Sequence, residues 1–498
     1  MPVASLPSKY GIGCFSRQAY AFVDFLKEAG QSYWQILPLG ETGYGDSPYQ
    51  SFSTFAGNPY FIDIEELIEE GFISEQDADA ADFGDDPGRV DYGRLYQQRY
   101  PLLRKAYENS PYASVTGGDT QDEDAAAKRR QFGQFCEKNA DWLPDYALFS
   151  ALKRRMDGRS FIEWDEDVRL RKPEAIRYWQ EELKDDIRFI EFLQFLFSKQ
   201  WTALKGYANS QGIKIIGDIP IYVAFDSADT WSHPELFDLD EKGYPVAVAG
   251  CPPDAFSSTG QLWGNPLYRW DYHRQTGYEW WLKRLSFCFE LYDVVRIDHF
   301  RGFDAFYAIP YGDSTAEFGK WRQGPGIDFF DTVKEKLGER QIIAEDLGYL
   351  TQSVIDMVKR TGYPGMKVLQ FAFDSREESD YLPHNYIRNC VVYTGTHDNE
   401  TTRGWYADLK GADREYATKY VNVGSEESAA WDFIRTAFMT VGDMVIIPMQ
   451  DYLNLDNSAR INHPSTLGGN WQWRMLPGAA DTKLAARMAD LADIYRRR

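Results

Sequence analysis

With 498 residues, the chain is longer than one average domain, but a single α/β barrel with insertions can reach this size. Its formal net charge of -22 at pH 7 argues against binding to nucleic acid or to an anionic membrane surface. This charge favours a neutral substrate over an anionic one. Aromatic residues make up 16% of the chain, which suits stacking on sugar rings but is also typical of an ordinary large core.

The cysteine pattern indicates a reducing compartment. The cysteines are odd in number, lie far apart and form neither a CxxC pair nor a His-spaced metal pattern, so we expect reduced thiols in a cytoplasmic protein. They are Cys14, Cys136, Cys251, Cys288 and Cys390. No stretch resembles a signal peptide or a membrane-spanning segment. We therefore expect a soluble protein that holds no metal and needs no cofactor.

The first predicted elements lead into a loop rich in turn residues. A helix capped by Ser16 has apolar residues at helical spacing and ends at Gly30. A strand is predicted at 33–39, and the turn-rich loop at 43–50 follows it. From 64 to about 165 the sequence is helical and polar, and we interpret this region as an insertion.

The rest of the chain alternates between predicted helices and strands. The further strands are expected at 213–220, 294–300, 342–346, 366–371, 391–394 and 444–447. They are mostly apolar, as in strands covered on both faces, and their alternation with helices implies a parallel sheet. These patterns predict an α/β fold of the (β/α)8 TIM-barrel class. A doubly wound sheet is the alternative, but no Gly-rich phosphate loop follows any of these strands.

The barrel is expected to be one catalytic unit over residues 1–498. Besides the helical insertion at about 64–165, a loop-rich insertion at about 222–275 is expected to lie over the active site. No separate C-terminal β domain is predicted.

A carboxylate ends the predicted strand 294–300 in a position that suits catalysis. Active sites of (β/α)8 barrels lie where the carboxyl ends of the strands meet. Asp298 shares a strand face with Arg296, so the guanidinium should hold this carboxylate ionised, as a nucleophile requires. The alternative is a structural ion pair that only orders the strand.

A second carboxylate, Glu345, follows the apolar run at 342–344. If its strand is the neighbour of strand 294–300, the two axes lie about 4.8 Å apart. Glu345 and Asp298 could then approach the separation of about 5–5.5 Å that retaining glycosidases use. The apolar flank would raise the pKa of Glu345 and keep it protonated as an acid. Alternatively, Glu345 only accepts a hydrogen bond from a helix N-terminus.

Three carboxylate motifs resemble those of the α-amylase clan, namely RIDH at 296–299, AEDLG at 344–348 and THDN at 396–399. The wider sequence resembles the 4-α-glucanotransferases, also called amylomaltases or disproportionating enzymes. This resemblance covers nearly the whole chain in the right order. Its longest matches are GDSPYQS at 45–51, GDIPIYV at 217–223, GQLWGNPLY at 260–268 and GNWQWR at 469–474.

The resemblance implies a role for many residues. Asp298 would be the nucleophile, Glu345 the general acid/base, and Asp398 a third carboxylate that grips and distorts the donor sugar. Residues implied to line the donor subsite are Arg296, His299, His397, Asp218, Tyr49 and Ser47. Residues implied to shape the acceptor side are Asp254, Phe256, Gln261 and Trp263, and Asn470 is a further implied contact to substrate.

Members of the family also bind glucan at a second, remote groove. Tyr44 and Tyr96 match its aromatic positions, although both could equally be ordinary surface or packing tyrosines. The partners implied by the resemblance are maltodextrin, amylose and glycogen-derived glucans, with no nucleic acid and no membrane.

The implied activity is a retaining transfer of an α-1,4-glucan segment to the 4-hydroxyl of an acceptor, through a covalent glycosyl-aspartate. A hydrolase of the same clan and a catalytically silent glucan-binding protein are the alternatives. The intact trio of carboxylates argues against the silent protein. Phe256 and Trp263 could exclude water from the acceptor side, which favours transfer over hydrolysis.

Two departures from the family pattern stand out. Ala255 stands where some relatives carry a tyrosine, so one stacking surface is missing from the acceptor loop. In addition, the first barrel strand of the family should precede Ser5, where only residues 1–4 stand. We therefore expect a truncated first strand, with the gap left open or filled by residues 3–6 or by a neighbouring segment.

Overall fold

The computed structural model describes residues 1–43, 45–113, 123–253, 257–348 and 350–498. Its strands are β1 (Tyr33–Gln35), β2 (Lys214–Pro220), β3 (Ala247–Cys251), β4 (Gln261–Pro266), β5 (Val294–Asp298), β6 (Ala305–Pro310), β7 (Lys320–Gln323), β8 (Ile342–Ala344), β9 (Gly365–Val368), β10 (Cys390–Tyr393) and β11 (Met444–Ile446).

The helices separate most of these strands from one another. They are α1 (Arg17–Glu28), α2 (Ile64–Glu69), α3 (Glu75–Asp79), α4 (Tyr92–Asn109), α5 (Glu123–Lys138), α6 (Leu143–Arg155), α7 (Glu166–Arg169), α8 (Pro173–Glu182), α9 (Lys184–Ser210), α10 (Ala228–Ser232), α11 (Trp270–Gln275), α12 (Glu279–Leu291), α13 (Ile327–Leu337), α14 (Gln352–Thr361), α15 (Thr402–Asp408), α16 (Gly411–Val421), α17 (Ala429–Met439), α18 (Met449–Tyr452) and α19 (Thr482–Ile494).

The parallel strands lie where the sequence predicted them. One parallel sheet has the order β1-β2-β5-β8, and a second has the order β9-β10-β11. The amide of Ala344 in β8 donates to the carbonyl of Pro364, 3.0 Å away, so the two sheets meet just before β9. This arrangement is an α/β fold of the TIM-barrel type. Within the described residues, however, the parallel strands form two sheets of four and three strands instead of one closed sheet of eight.

The N-terminal residues pack beside β1. The ammonium group of Met1 donates to the carbonyl of Gln35 at 3.2 Å, and the indole N–H of Trp34 donates to the carbonyl of Met1 at 2.7 Å. Val3–Ser5 forms a 3₁₀ turn, so residues 3–5 do not add a strand beside β1.

The region from 64 to about 165 contains helices α2 to α6 in the part that the structure describes. Helix α6 packs against the long helix α9, which precedes β2. The segment after α4 also contacts α9, because the ring of Tyr112 lies 5.4 Å from the rings of both Phe192 and Phe195. Residues 117–127 are rich in Gly, Asp and Ala, and 117–122 lie outside the described residues.

An antiparallel sheet that the sequence did not predict lies beside the parallel strands. Its order is β4-β3-β6-β7. Strands β3 and β4 belong to the region 222–275, which we expected to be rich in loops, while β6 and β7 follow β5 before α13 begins. Strand β3 has the sequence AVAGC and β4 has QLWGNP, and neither shows the alternation that would identify a strand.

Two further expectations concern the thiols and membranes. None of the five cysteines, all of which are described, takes part in a disulfide bond. Among the helices that the structure describes, no helix has both the length and the apolar character needed to cross a bilayer.

We expect Gly217→Ala to destabilise the protein. A methyl group on Gly217 in β2 would lie 2.2 Å from Cγ of Tyr292, whose side chain is buried and cannot move aside. Overpacking of this kind costs about 1–3 kcal/mol. The midpoint of urea-induced unfolding should therefore fall.

The matched control for this substitution is Gly206→Ala in α9. No atom lies within 4 Å of the added methyl group there, and alanine should stabilise the helix by up to ~1 kcal/mol. Equal unfolding midpoints for Gly217→Ala and the unmodified protein would contradict the close packing described here.

Candidate active site

Asp298 and Glu345 stand side by side at the ends of neighbouring strands. Strands β5 and β8 are parallel, with Ile297 opposite Ala344, so the next residues along are Asp298 and Glu345. The amide of Glu345 donates to the carbonyl of Ile297 at 3.1 Å, which extends the pairing beyond β8. The expectation that these two strands are neighbours is confirmed.

Arg296 joins two carboxylates. Its Nη1 lies 2.7 Å from both oxygens of Asp218 in β2 and 3.0 Å from Oδ1 of Asp298. Arg296 and Asp218 are almost fully buried, whereas the side chain of Asp298 remains 31% exposed. Asp218 is therefore the buried partner of the guanidinium, and Asp298 is the one that can meet a ligand.

Both oxygens of Glu345 accept a backbone hydrogen bond. The amide of His299 donates to Oε2 at 2.7 Å, and the amide of Leu347 donates to Oε1 at 2.8 Å. His299 adopts the left-handed conformation with φ 53°, which is uncommon for a residue other than glycine and directs its amide to Glu345.

The pKa values of both carboxyl groups are raised above their usual range. Burial raises the pKa of Asp298 to about 6, although the guanidinium of Arg296 works in the opposite direction. Burial and the neighbouring charge of Asp298 raise the pKa of Glu345 to about 7. Arg296 therefore favours the ionised form of Asp298, as expected, but desolvation outweighs its effect on the pKa. Glu345 has the raised pKa that its apolar flank predicted.

Asp398 is held by a loop far away in the sequence. The side-chain amide of Asn462 donates to its Oδ1 at 2.6 Å, and the guanidinium of Arg460 donates to its carbonyl at 2.8 Å. Nε2 of His397 lies 3.4 Å from Oδ2 of Asp398. We did not predict Arg460 or Asn462, because only the folded chain brings their loop to the THDN motif.

The charges of Asp398 and His397 support each other. Burial opposes ionisation of Asp398, but His397 and Asn462 hold the pKa of this carboxyl well below its usual range. Burial likewise opposes a charged His397, yet Asp398 raises the pKa of the imidazole overall. By contrast, burial lowers the pKa of His299 to about 3, so that ring is neutral at pH 7.

An aromatic wall lies beside these charged groups. The ring of Tyr49 stacks on His397 with a centroid distance of 5.1 Å and an interplanar angle of 21°, and its hydroxyl donates to Oδ2 of Asp218 at 2.7 Å. Trp471 completes the wall, 5.8 Å from His397. Ser47 lies on the same loop as Tyr49, and its Oγ accepts the amide of Tyr49 at 3.3 Å.

A second group of aromatic residues lies on the other side of Asp298. Trp263 meets His299 edge to face at 4.8 Å, and its indole N–H donates to the side-chain oxygen of Gln261 at 3.1 Å. Tyr222, which we did not predict, lies 6.3 Å from Trp263 and 6.4 Å from His299. The predicted Asp254 and Phe256 lie outside the described residues.

Two other predicted residues, Asn470 and Tyr96, do not take part in the hydrogen bonds of the carboxylates described above. Asn470 is buried and uses its amide within its own loop, where it accepts the amide of His463 at 2.9 Å and donates to Thr466. Tyr96 is 63% exposed on α4, with its ring 6.4 Å from Tyr100. Tyr44 lies outside the described residues.

Comparisons with known proteins agree with this arrangement. A family profile described as 4-alpha-glucanotransferase matches residues 1–479. The chain is 50% identical to the 4-alpha-glucanotransferase of Clostridium butyricum over 500 residues, covering 100% of both chains. It is 46% identical to the 4-alpha-glucanotransferase of Thermus thermophilus over 500 residues, covering 99% of this chain and 97% of the relative.

Solved structures show the same similarity. An amylomaltase from Streptococcus agalactiae in complex with acarbose is 43% identical, with a TM-score of 0.95 over 100% of this chain and 98% of that chain. An amylomaltase from Corynebacterium glutamicum is only 17% identical and shows the fold alone, with a TM-score of 0.78 over 99% of this chain and 74% of that chain. With a family profile that matches almost its whole length, the chain belongs to the 4-alpha-glucanotransferase family.

Proposed function

We propose that this 4-α-glucanotransferase works by a retaining double displacement in which Asp298 is the nucleophile and Glu345 the general acid/base. The observation that carries the proposal is the position of these two residues at the ends of neighbouring parallel strands. A retaining glycosidase mechanism needs one ionised and one protonated carboxyl group that flank the scissile bond.

In the first step, Glu345 donates its proton to the glycosidic oxygen of a donor maltodextrin. The carboxylate of Asp298 attacks C1, the bond from C1 to that oxygen breaks, and the leaving glucan departs with the proton. Arg296 is bonded to Asp298 and keeps the nucleophile oriented while its charge is lost. The product of this step is a glycosyl-Asp298 ester.

In the second step, the 4-hydroxyl of an acceptor glucan or glucose attacks the same C1. Glu345, now ionised, removes the proton of this hydroxyl, and Asp298 leaves as a carboxylate. The backbone amides of His299 and Leu347 support the ionised form of Glu345 at this stage. Trp263 and Tyr222 favour a sugar over water on the acceptor side, because they cover it with apolar surface. We assign the undescribed Asp254 and Phe256 and the neighbouring Gln261 to the same side.

The donor sugar is held on the opposite side. Asp398 is ionised and can accept two hydroxyl hydrogen bonds from the donor ring, and His397, whose pKa Asp398 raises, can donate one. Tyr49 offers a face for stacking, and Ser47 lies on the same loop. We assign Arg296 and His299 to the donor subsite as well, because both lie close to Asp298 in the chain. We assign Asp218 and Asn470 to the support of these groups, since both are buried.

The substrates follow from the family. The enzyme acts on maltodextrin and related α-glucans, and we infer that amylose and glycogen-derived glucans serve as longer donors. We also infer that residues 1–498 work as one catalytic unit, with the insertion at about 64–165 beside the cleft and the segment at about 222–275 over it. The exposed Tyr96 is available for a second glucan contact together with Tyr44.

Incubation with maltotriose tests the activity. Transfer yields glucose and a ladder of longer chains without a net rise in reducing ends, whereas hydrolysis raises their number.

We expect Asp298→Asn to abolish both kinds of product, because it removes the nucleophile at nearly constant volume. Each ~1.4 kcal/mol of lost transition-state stabilisation is a tenfold loss in rate, so a fall of several decades is expected. Activity within about tenfold of the unmodified enzyme, with unchanged thermal unfolding, would refute the assignment.

Glu345→Gln should impair different donors to different degrees. A glucosyl fluoride has a good leaving group and needs little help from an acid, whereas a maltodextrin needs it fully. Mass spectrometry after mixing the variant with the fluoride should therefore detect a glycosylated Asp298. An equal loss of rate with both donors would argue against the acid/base role.

The pH dependence of kcat/KM should be bell-shaped. Asp298 must be ionised, so activity rises as pH increases through its pKa of about 6. Glu345 must be protonated in the first step, so activity falls as pH increases through its pKa of about 7. The two limbs report the pair as a whole, and the maximum lies between them. With the fluoride donor, Glu345→Gln should lose the alkaline limb, and retention of that limb would contradict the assignment.

A further inference from the structure

The loop that carries Ser47 and Tyr49 has a narrow neck. Antiparallel bridges join Gly40 to Gly57 and Thr42 to Ser51 on its two sides. Between these bridges, the carbonyl of Glu41 accepts the amide of Phe52 at 3.3 Å. Glu41 therefore lies at the neck from which the loop extends, and its position affects the orientation of the whole loop.

The side chain of Glu41 contacts the helical insertion. Its Oε1 accepts the hydroxyl of Tyr100 from α4, and its Oε2 accepts the hydroxyl of Tyr146 from α6 at 2.5 Å. Both tyrosines are buried, and the guanidinium carbon of Arg154 lies 3.6 Å from the ring centroid of Tyr100. One carboxylate thus connects the neck of the loop to two helices that are distant in sequence.

These hydrogen bonds have a fixed direction. Burial and the charge of Glu41 raise the pKa of both tyrosines well above its usual value, so each hydroxyl keeps its proton and donates. Hydrogen bonds from a hydroxyl to an ionised carboxylate are short and roughly twice as strong as neutral ones. These two hydrogen bonds therefore attach the loop strongly to the insertion, although they involve only one residue of the loop.

We propose that Glu41 is a positioning residue, through which α4 and α6 hold the substrate loop so that Tyr49 stacks on His397. In this orientation the hydroxyl of Tyr49 donates to Asp218 and its ring stacks on His397. The helical insertion thereby braces the donor side of the cleft. This inference rests on the assignment of Tyr49 to the donor side made above.

Two variants break the connection in different ways. Glu41→Gln keeps the volume but places an amide NH2 where a tyrosine hydroxyl needs an acceptor. The double variant Tyr100→Phe with Tyr146→Phe removes only the two hydroxyls. We expect each to raise KM for a maltodextrin donor about tenfold while kcat changes less than about twofold, as when binding shared by ground and transition state is lost. Combining all three substitutions should add little, because the groups act as a unit.

The matched control is Tyr107→Phe. Tyr107 is also buried on α4, but its hydroxyl donates to Asp185 at 3.3 Å and does not reach the loop. Its KM should equal that of the unmodified enzyme. Thermal unfolding of every variant shows whether stability alone has changed, and the double tyrosine variant decides the matter if Glu41→Gln does not fold.

Tyr49→Ala separates this inference from the assignment on which it rests. If Tyr49→Ala leaves KM unchanged, the donor-side role of Tyr49 is wrong and the inference falls with it. If Tyr49→Ala raises KM while folded Glu41→Gln or the double tyrosine variant stays within about twofold of the unmodified enzyme, the brace alone is wrong. An equal rise in KM for Tyr107→Phe would also overturn it.

Discussion

The buried guanidinium of Arg296 is the interaction on which the site depends. A charge taken out of water is costly unless it is paired and hydrogen-bonded, and Arg296 meets that requirement with Asp218 on β2 and Asp298 on its own strand. Asp218 occupies the guanidinium from the buried side, while Asp298 keeps part of its carboxylate exposed. The same Asp218 accepts the hydroxyl of Tyr49. One ion pair therefore connects two strands, Asp298 and the aromatic wall.

Strained backbone surrounds this ion pair. Asp46, His299 and Trp471 have φ angles of 61°, 53° and 64°. Residues other than glycine adopt such angles infrequently, and the surrounding structure holds them there. Each lies at a different edge of the site, next to Ser47, Asp298 and the loop of Asn470 respectively. Packing and hydrogen bonds of the scaffold maintain these conformations, so residues outside the cleft contribute to its geometry.

Much of the fold could be predicted, because a parallel strand that is buried on both faces appears in the sequence as a short run rich in Ile and Val. Strands β2 and β5 show this pattern, and both lie where it indicated. The antiparallel sheet could not be predicted, since β3 is made of small residues and β4 contains glycine and proline. Strand β6, which pairs with β3, is also far from it along the chain. Arg460 and Asn462 escaped prediction for a related reason, as their contact with Asp398 spans more than sixty residues.

The sequence by itself determined which residue types end each parallel strand and that Asp298, Glu345 and Asp398 belong to one set of motifs. Tertiary structure alone decided how these groups behave. The pKa of Asp298 rises in spite of Arg296, since desolvation depends on everything packed around the carboxyl and not on its neighbours in the chain. Likewise, nothing in the sequence distinguishes Glu41 from other glutamates in loops. Only in the folded chain do α4 and α6 bring two tyrosine hydroxyls to its carboxylate. Local pattern is a property of neighbouring residues, whereas burial and long-range hydrogen bonds exist only once the chain has folded.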